Sequence, residues 1–237
     1  MTSRRTRNGS TPTVLLVHDA FSDTGVWAGT VRAGRGLRTE IVAVPNPLRG
    51  LASDAAYLAS AVAEYDAPVL LVGHGYGGAV VSVAAVSAAN VVGVVYLAAF
   101  LPDRTRAIVD ILRDAAAHRF LAALRPYRSG SETELYLDRR DYPAVLAADL
   151  DPADAAVAAA LQRPVRASAF EERPVEVASV PSWYLIASAD RVLDVPTQRS
   201  LAAGSISTEV DASHSLPLSR PVAVAELLGT ALSQGVR

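Results

Sequence analysis

The chain has 237 residues, of which 51% are apolar and 19% charged, and a formal net charge of −2. These values describe one globular domain with a sizeable core and exclude a disordered chain. They also give no electrostatic footing for nucleic acid or an acidic membrane surface. Cysteine is absent, which excludes disulfides, thiolate catalysis and cysteine-ligated metal. Lysine is absent too, which excludes a Schiff-base lysine.

Residues 1–10 are basic and polar with no apolar centre, so they read as a disordered tail and not a secretory signal. No run reaches the roughly 20 apolar residues of a membrane helix, so no membrane partner is expected and the cytoplasm is the expected location. Val14-Leu15-Leu16-Val17 is a continuous apolar run that enters the loop His18-Asp19-Ala20-Phe21, the pattern of a buried strand ending at a loop. Residues 40–44 form a second short strand, closed by Pro45 and Pro47. Ser53-Asp54 is placed to cap a helix running to about Tyr65. Val69-Leu70-Leu71-Val72 is a third strand, followed at once by a glycine-rich turn and a small-residue helix over 79–89. Residues 91–98 give a further strand. Fully apolar strands alternating with helices predict a parallel sheet covered on both faces.

After Phe100 the character changes. Residues 101–176 are charged, alanine-rich and expected to be mostly helical, with no strong strand. The strand pattern resumes over 183–187, weakens over 207–210, and a helix over 222–232 closes the chain. The expected organisation is therefore an α/β core over 11–100 and 178–237, interrupted by a helical cap over 101–177.

The strand–turn–helix at Gly73-His74-Gly75-Tyr76-Gly77 is the context of a nucleophile elbow, whose pattern is G-x-S-x-G. The glycine frame is intact, but the central residue is Gly75. Together with residues 13–21, 96–103, 181–187 and the Asp211-Ala212-Ser213-His214 segment, this turn resembles the α/β-hydrolase superfamily. The resemblance is to small cap-bearing bacterial members related to plant esterases and hydroxynitrile lyases, and it covers most of the chain from Thr13 onward. It implies an α/β-hydrolase fold with a mostly parallel central sheet. It implies Asp190 as the acid, following the strand over 183–187, and His214 as the base, because the family's chain order is nucleophile, acid, histidine. It implies an oxyanion hole from the backbone amides of Ala20 and Tyr76.

There are two departures from the family. Gly75 has no side chain to attack with, and Asp19 stands where the family usually has glycine. An ionised Asp19 would repel a developing oxyanion, a protonated one would donate to it, and a third reading turns the side chain to solvent. Asp19, Phe21, Trp27, Phe100 and Tyr127 are candidate substrate contacts, the aromatic ones walling the pocket together with Tyr76. Of the other histidines, His74 and His18 read as structural and His118 as a surface residue of the cap. Four scattered histidines have no metal-ligand spacing along the chain, so neither a metal nor another cofactor is expected.

Without a nucleophile the two-step ester mechanism is closed. The machinery that remains suits a lyase, isomerase or cyclase in which His214, held by Asp190, takes a proton from a small metabolite. Three alternatives stay open: water-mediated hydrolysis of a reactive ester or lactone, a non-catalytic small-molecule binder, and an esterase inactivated by a serine-to-glycine change. The expected oligomeric state is a monomer or a homodimer.

Overall fold

The computed structural model describes residues 12–115 and 117–234, so the tail expected over residues 1–10 lies outside the described residues. Strand β1 (Thr13–Val17) leads through α1 (Ala28–Ala33) to β2 (Ile41–Val44). Helix α2 (Leu51–Val62) then joins β2 to β3 (Val69–His74), and α3 (Tyr76–Ser87) joins β3 to β4 (Val91–Leu97). An insertion follows, with α4 (Ile108–Asp114), α5 (His118–Ala123), β5 (Leu124–Ser129), β6 (Glu132–Leu137), α6 (Tyr142–Leu146), α7 (Pro152–Leu161) and β7 (Val165–Arg166). The chain returns to the sheet as β8 (Ser182–Ala187), α8 (Val195–Leu201), β9 (Ile206–Val210), α9 (Leu216–Ser219) and α10 (Pro221–Gln234).

The central sheet has the order β2-β1-β3-β4-β8-β9, with every pairing parallel. Why the strands are apolar throughout is visible in the packing. Side chains alternate across a strand, and here both faces are covered. Val14, Leu16, Leu70, Val72, Val95, Leu97 and Trp183 join the cluster beneath α10. Leu15, Val17, Val69, Leu71, Val94, Tyr96 and Tyr184 join the one beneath α2 and α3.

Two expectations need correcting. The insertion is not all helical, because β5, β6 and β7 form an antiparallel sheet. Its strands escaped notice because most of β5 is polar and solvent-facing, with no buried stripe to mark it. Helix α2 starts at Leu51 rather than after Ser53-Asp54, with Gly50 at its cap at φ 151°. Asp54 lies in the first turn and is buried. Its carboxylate accepts from the Arg49 amide (3.1 Å) and from the Tyr76 hydroxyl (2.7 Å).

The strand order reverses between β1 and β3, because β2 lies on one side of β1 and β3 on the other. At such a switch point the loops leaving the two strands diverge and open a crevice at their carboxyl ends. Asp19 leaves β1 there and Gly75 leaves β3.

The Asp54–Tyr76 bond ties α2 to the start of α3. Replacing Asp54 by alanine leaves buried donors unpaired and is expected to cost about 1–3 kcal/mol, read as a drop in ΔG from urea unfolding with an unchanged m value.

Candidate active site

Gly75 caps α3 at φ 52°, ψ −119°, a backbone state that side chains rarely adopt. A Cβ built on it would lie 2.1 Å from Asp19 Oδ1 and 2.2 Å from Asp19 Cγ. The Asp19 carboxylate therefore fills the volume that a side chain at position 75 would need. The reading of Asp19 as a solvent-facing loop residue is overturned, since it is only 4% exposed.

Two groups hold that carboxylate. Oδ1 accepts from the Tyr76 backbone amide, at the positive end of α3, where a helix favours an anion. Oδ2 lies 3.1 Å from His214 Nε2. The loop itself is clamped by His18. Its Nε2 accepts from the Asn46 amide at 3.0 Å, so Nδ1 carries the proton and donates to the Asp19 carbonyl at 2.8 Å. His18 is thus a loop support, as its sequence context suggested.

His214 follows β9 and is 1% exposed. Its Nδ1 lies 2.7 Å from Asp190 Oδ2. Asp190 is fixed in turn by the amides of Val192 (2.7 Å) and Leu193 (3.1 Å) and by Gln198 Nε2 (3.3 Å). Gln198 is fully buried and also brackets Ala187 through both its amide and its carbonyl. The sequence reading missed Gln198. A glutamine on a short helix carries no motif, and only burial reveals it as the residue that orients the acid. Helix α6 of the insertion closes over the same loop, because the Leu146 carbonyl accepts from the Ser215 amide (2.8 Å) and from Ser213 Oγ (3.0 Å).

The imidazole of His214 is therefore caged by two carboxylates. Burial disfavours its charged form, but the Asp190 charge and the hydrogen bonds to Asp19 and Asp190 outweigh burial and raise its pKa to about 10. Burial likewise opposes the charge on Asp19, yet the His214 hydrogen bond, the nearby imidazoles and the Tyr76 amide keep its carboxyl below the ordinary value. His74 behaves oppositely. Burial, aided by the neighbouring His214, lowers it to about 4. Its Nε2 donates to the His214 carbonyl at 2.7 Å, and its ring centroid lies 5.2 Å from that of His214.

The structure brings Asp19, Gly75, Tyr76, Asp190 and His214 together, with Ala20 bordering the same small cavity. The expected amide of Tyr76 is present, but an internal carboxylate occupies it. The expected aromatic walls are placed differently. Among the described residues, none of Phe21, Trp27, Tyr76, Phe100 and Tyr127 lines the cavities beside His214. Phe21 packs edge-on against Phe120 and Phe170, Trp27 edge-on against His74, and Phe100 at a tilt against His214, all as buried supports. Tyr127 lies on the β5–β6 hairpin, bonded to Glu134 and with its ring tilted against that of Tyr136. The reason is local: the hairpin that was read as helix carries Tyr127 to its own partners. His118 is exposed, as expected.

The space beside His214 is small, about 10 Å³. It adjoins a cavity of about 410 Å³ between the loop after β1 and helices α6 and α7, and the two share Ser22, Val26, Tyr142, Pro217 and Leu218. The larger volume suits a small organic ligand. The expectation of no metal rested on spacing along the chain. In space, one donor atom each from Asp19, His74 and His214 lie within 4.8 Å of one another.

The cage has a spectroscopic signature. In the ligand-free protein, imidazole NMR resonances of His214 should titrate near pH 10 and those of His74 near pH 4. The raised His214 pKa stabilises the fold fully below its ordinary value of 6.5, and that contribution fades as pH rises through about 10. An ordinary His214 titration between pH 6 and 7 would contradict the cage.

No curated protein sequence matches the chain. Among solved structures it resembles a pyrethroid hydrolase from Sphingobium faniae JZ-2, with 18% identity, a TM-score of 0.76 and coverage of 94% of this chain and 98% of that one. It also resembles a polyneuridine aldehyde esterase, with 18% identity, a TM-score of 0.78 and coverage of 92% and 98%. A third is tomato methylketone synthase I complexed with 2-tridecanone, with 19% identity, a TM-score of 0.79 and coverage of 94% and 98%. At such identities these likenesses speak for the fold alone. The sequence profile of the Alpha/beta hydrolase family matches residues 14–227, and the chain belongs to that family.

Proposed function

We propose that the chain is an enzyme acting on a small organic metabolite by proton transfer rather than by acyl transfer. Its reaction class is that of a lyase, isomerase or cyclase, and its acid–base group is His214, held by Asp190. The observation that carries this reading is the Asp19 carboxylate, lodged where the side chain of residue 75 would stand and bonded to His214 Nε2 at 3.1 Å. A serine there would collide with it, so Gly75 and Asp19 fit each other. That mutual fit argues against a one-residue inactivation of an ordinary esterase.

The chemistry follows from the contacts. A carbonyl substrate enters from the 410 Å³ cavity, and its oxygen takes the Tyr76 amide from Asp19. The displaced carboxylate and His214 form a linked pair next to the carbon bearing the acidic hydrogen. The charged imidazole first gives its Nε2 proton to the displaced Asp19 carboxylate. The freed Nε2 then removes the substrate proton, and the amide holds the enolate oxygen. Returning the proton to another atom gives isomerisation or cyclisation, and breaking a neighbouring bond gives elimination. Asp190 keeps the imidazole oriented throughout. Among the fold's relatives, the synthase with a bound ketone is in keeping with this substrate type.

A second reading, a small-molecule binder, is favoured by the closed space of about 10 Å³ beside His214. Exchange of α-hydrogens in deuterated water, followed by NMR over a panel of ketones and β-keto acids, separates the two. The His214→Ala variant should lose about 10²–10⁴-fold of the exchange rate while keeping ligand affinity within a few fold. Asp190→Asn should lose up to about 10⁴-fold, because the tautomer is no longer held. Exchange that is absent from the native chain, or undiminished in His214→Ala, would remove the catalytic reading.

A further inference from the structure

His74 is not used by the proton-transfer reading, yet it is 5% exposed and points its chemistry at the same place. Its Nε2 is committed to the His214 carbonyl, which leaves Nδ1 as the nitrogen with a free lone pair. Among the described residues that buried Nδ1 has no hydrogen-bond partner. Buried acceptors are rarely left so. The neighbouring groups with matching chemistry are the Asp19 carboxylate and the His214 imidazole, each with a donor atom within 4.8 Å. The cavity bordered by all three holds about 10 Å³, room for one small sphere.

We propose that Asp19, His74 and His214 form a binding site for one divalent transition-metal ion, of which zinc is the type. Two imidazole nitrogens and one carboxylate oxygen suit such ions, whereas magnesium and calcium prefer sites built from oxygen alone. Three protein ligands also leave a position open toward the cavity, the mark of a reactive rather than a structural site. The surroundings are those of a metal site as well. Ligating histidines donate their other ring N–H to a carboxylate or carbonyl, which fixes tautomer and orientation. His214 has its second nitrogen on Asp190, and His74 has its second on the His214 carbonyl. Asp19 is braced through its other oxygen by the Tyr76 amide. Ligand atoms around a four-coordinate zinc lie about 3.3 Å apart. The Asp19–His214 pair already stands at 3.1 Å, so closing the site needs the ion to displace the proton they share and His74 to draw in. The site exists because Gly75 leaves the carboxylate its place.

The inference goes beyond the proton-transfer reading, describes a metal-loaded state in which His214 Nε2 is a ligand instead of the base, and is tested without any turnover. Chelator-treated protein is titrated with Zn²⁺ by calorimetry, and its melting temperature is followed with Zn²⁺ and with Mg²⁺. The expected result is one saturable Zn²⁺ per chain, a melting temperature raised by Zn²⁺ but not by Mg²⁺, and at least about 100-fold weaker binding in His74→Phe. His118→Ala, which removes an exposed imidazole elsewhere, should bind like the native chain. Absence of saturable Zn²⁺ binding, or binding unchanged in His74→Phe, would overturn the site. If His74→Phe does not fold, anomalous scattering from Co²⁺-soaked native crystals decides. A peak among Asp19, His74 and His214 supports the site, and a peak elsewhere or none overturns it.

Discussion

The arrangement turns on one carboxylate at one helix end. Asp19 sits at the first amide of α3, in volume that Gly75 leaves empty, and shares His214 with Asp190. Each part depends on the others. Without the glycine there is no room for the carboxylate. Without His214 and the α3 amide, a charge buried this deeply would be too costly to keep ionised. Without Asp19, the Tyr76 amide and one face of His214 would lose their partners. Gly75 and Asp19 are thus a single structural unit, 56 residues apart in the chain but in contact at the switch point of the sheet.

That arrangement also sets what the site can do. An acyl-transfer site keeps its oxyanion amide open for substrate, whereas here a side chain already occupies it. On the proposed readings, a ligand displaces Asp19 or shares the site with it through a cation. Both routes make Asp19 the residue through which binding is felt at His214. The insertion reinforces this, because its α6 carbonyl at Leu146 is bonded to the segment carrying His214.

Much of the fold was legible in the sequence for a physical reason. Strands buried on both faces must be apolar at every position, so Val14 to Val17 and Val69 to Val72 announce themselves. The glycine frame around residue 75 and the order of Asp190 before His214 located the turn and the dyad. The β5–β6 hairpin was not seen, because β5 is largely solvent-facing. Its one signal was the Gly130-Ser131 turn, with Gly130 at φ 63°. The contact between Asp19 and His214 was also out of reach. It depends on how the loop after β1 folds over α3, a matter of three dimensions that no spacing encodes. For the same reason His74 read as packing alone, although its ring lies beside His214.

The central claim is that Asp19 and Gly75 are interlocked, and a double-mutant cycle in stability tests it most directly. Gly75→Ser, Asp19→Gly and the double variant are unfolded in urea alongside the native chain. The account predicts that Gly75→Ser is strongly destabilised by collision with the carboxylate, and that removing the carboxylate relieves it, giving a coupling energy of about 1–3 kcal/mol. Two single effects that simply add, within about 0.5 kcal/mol, would contradict it.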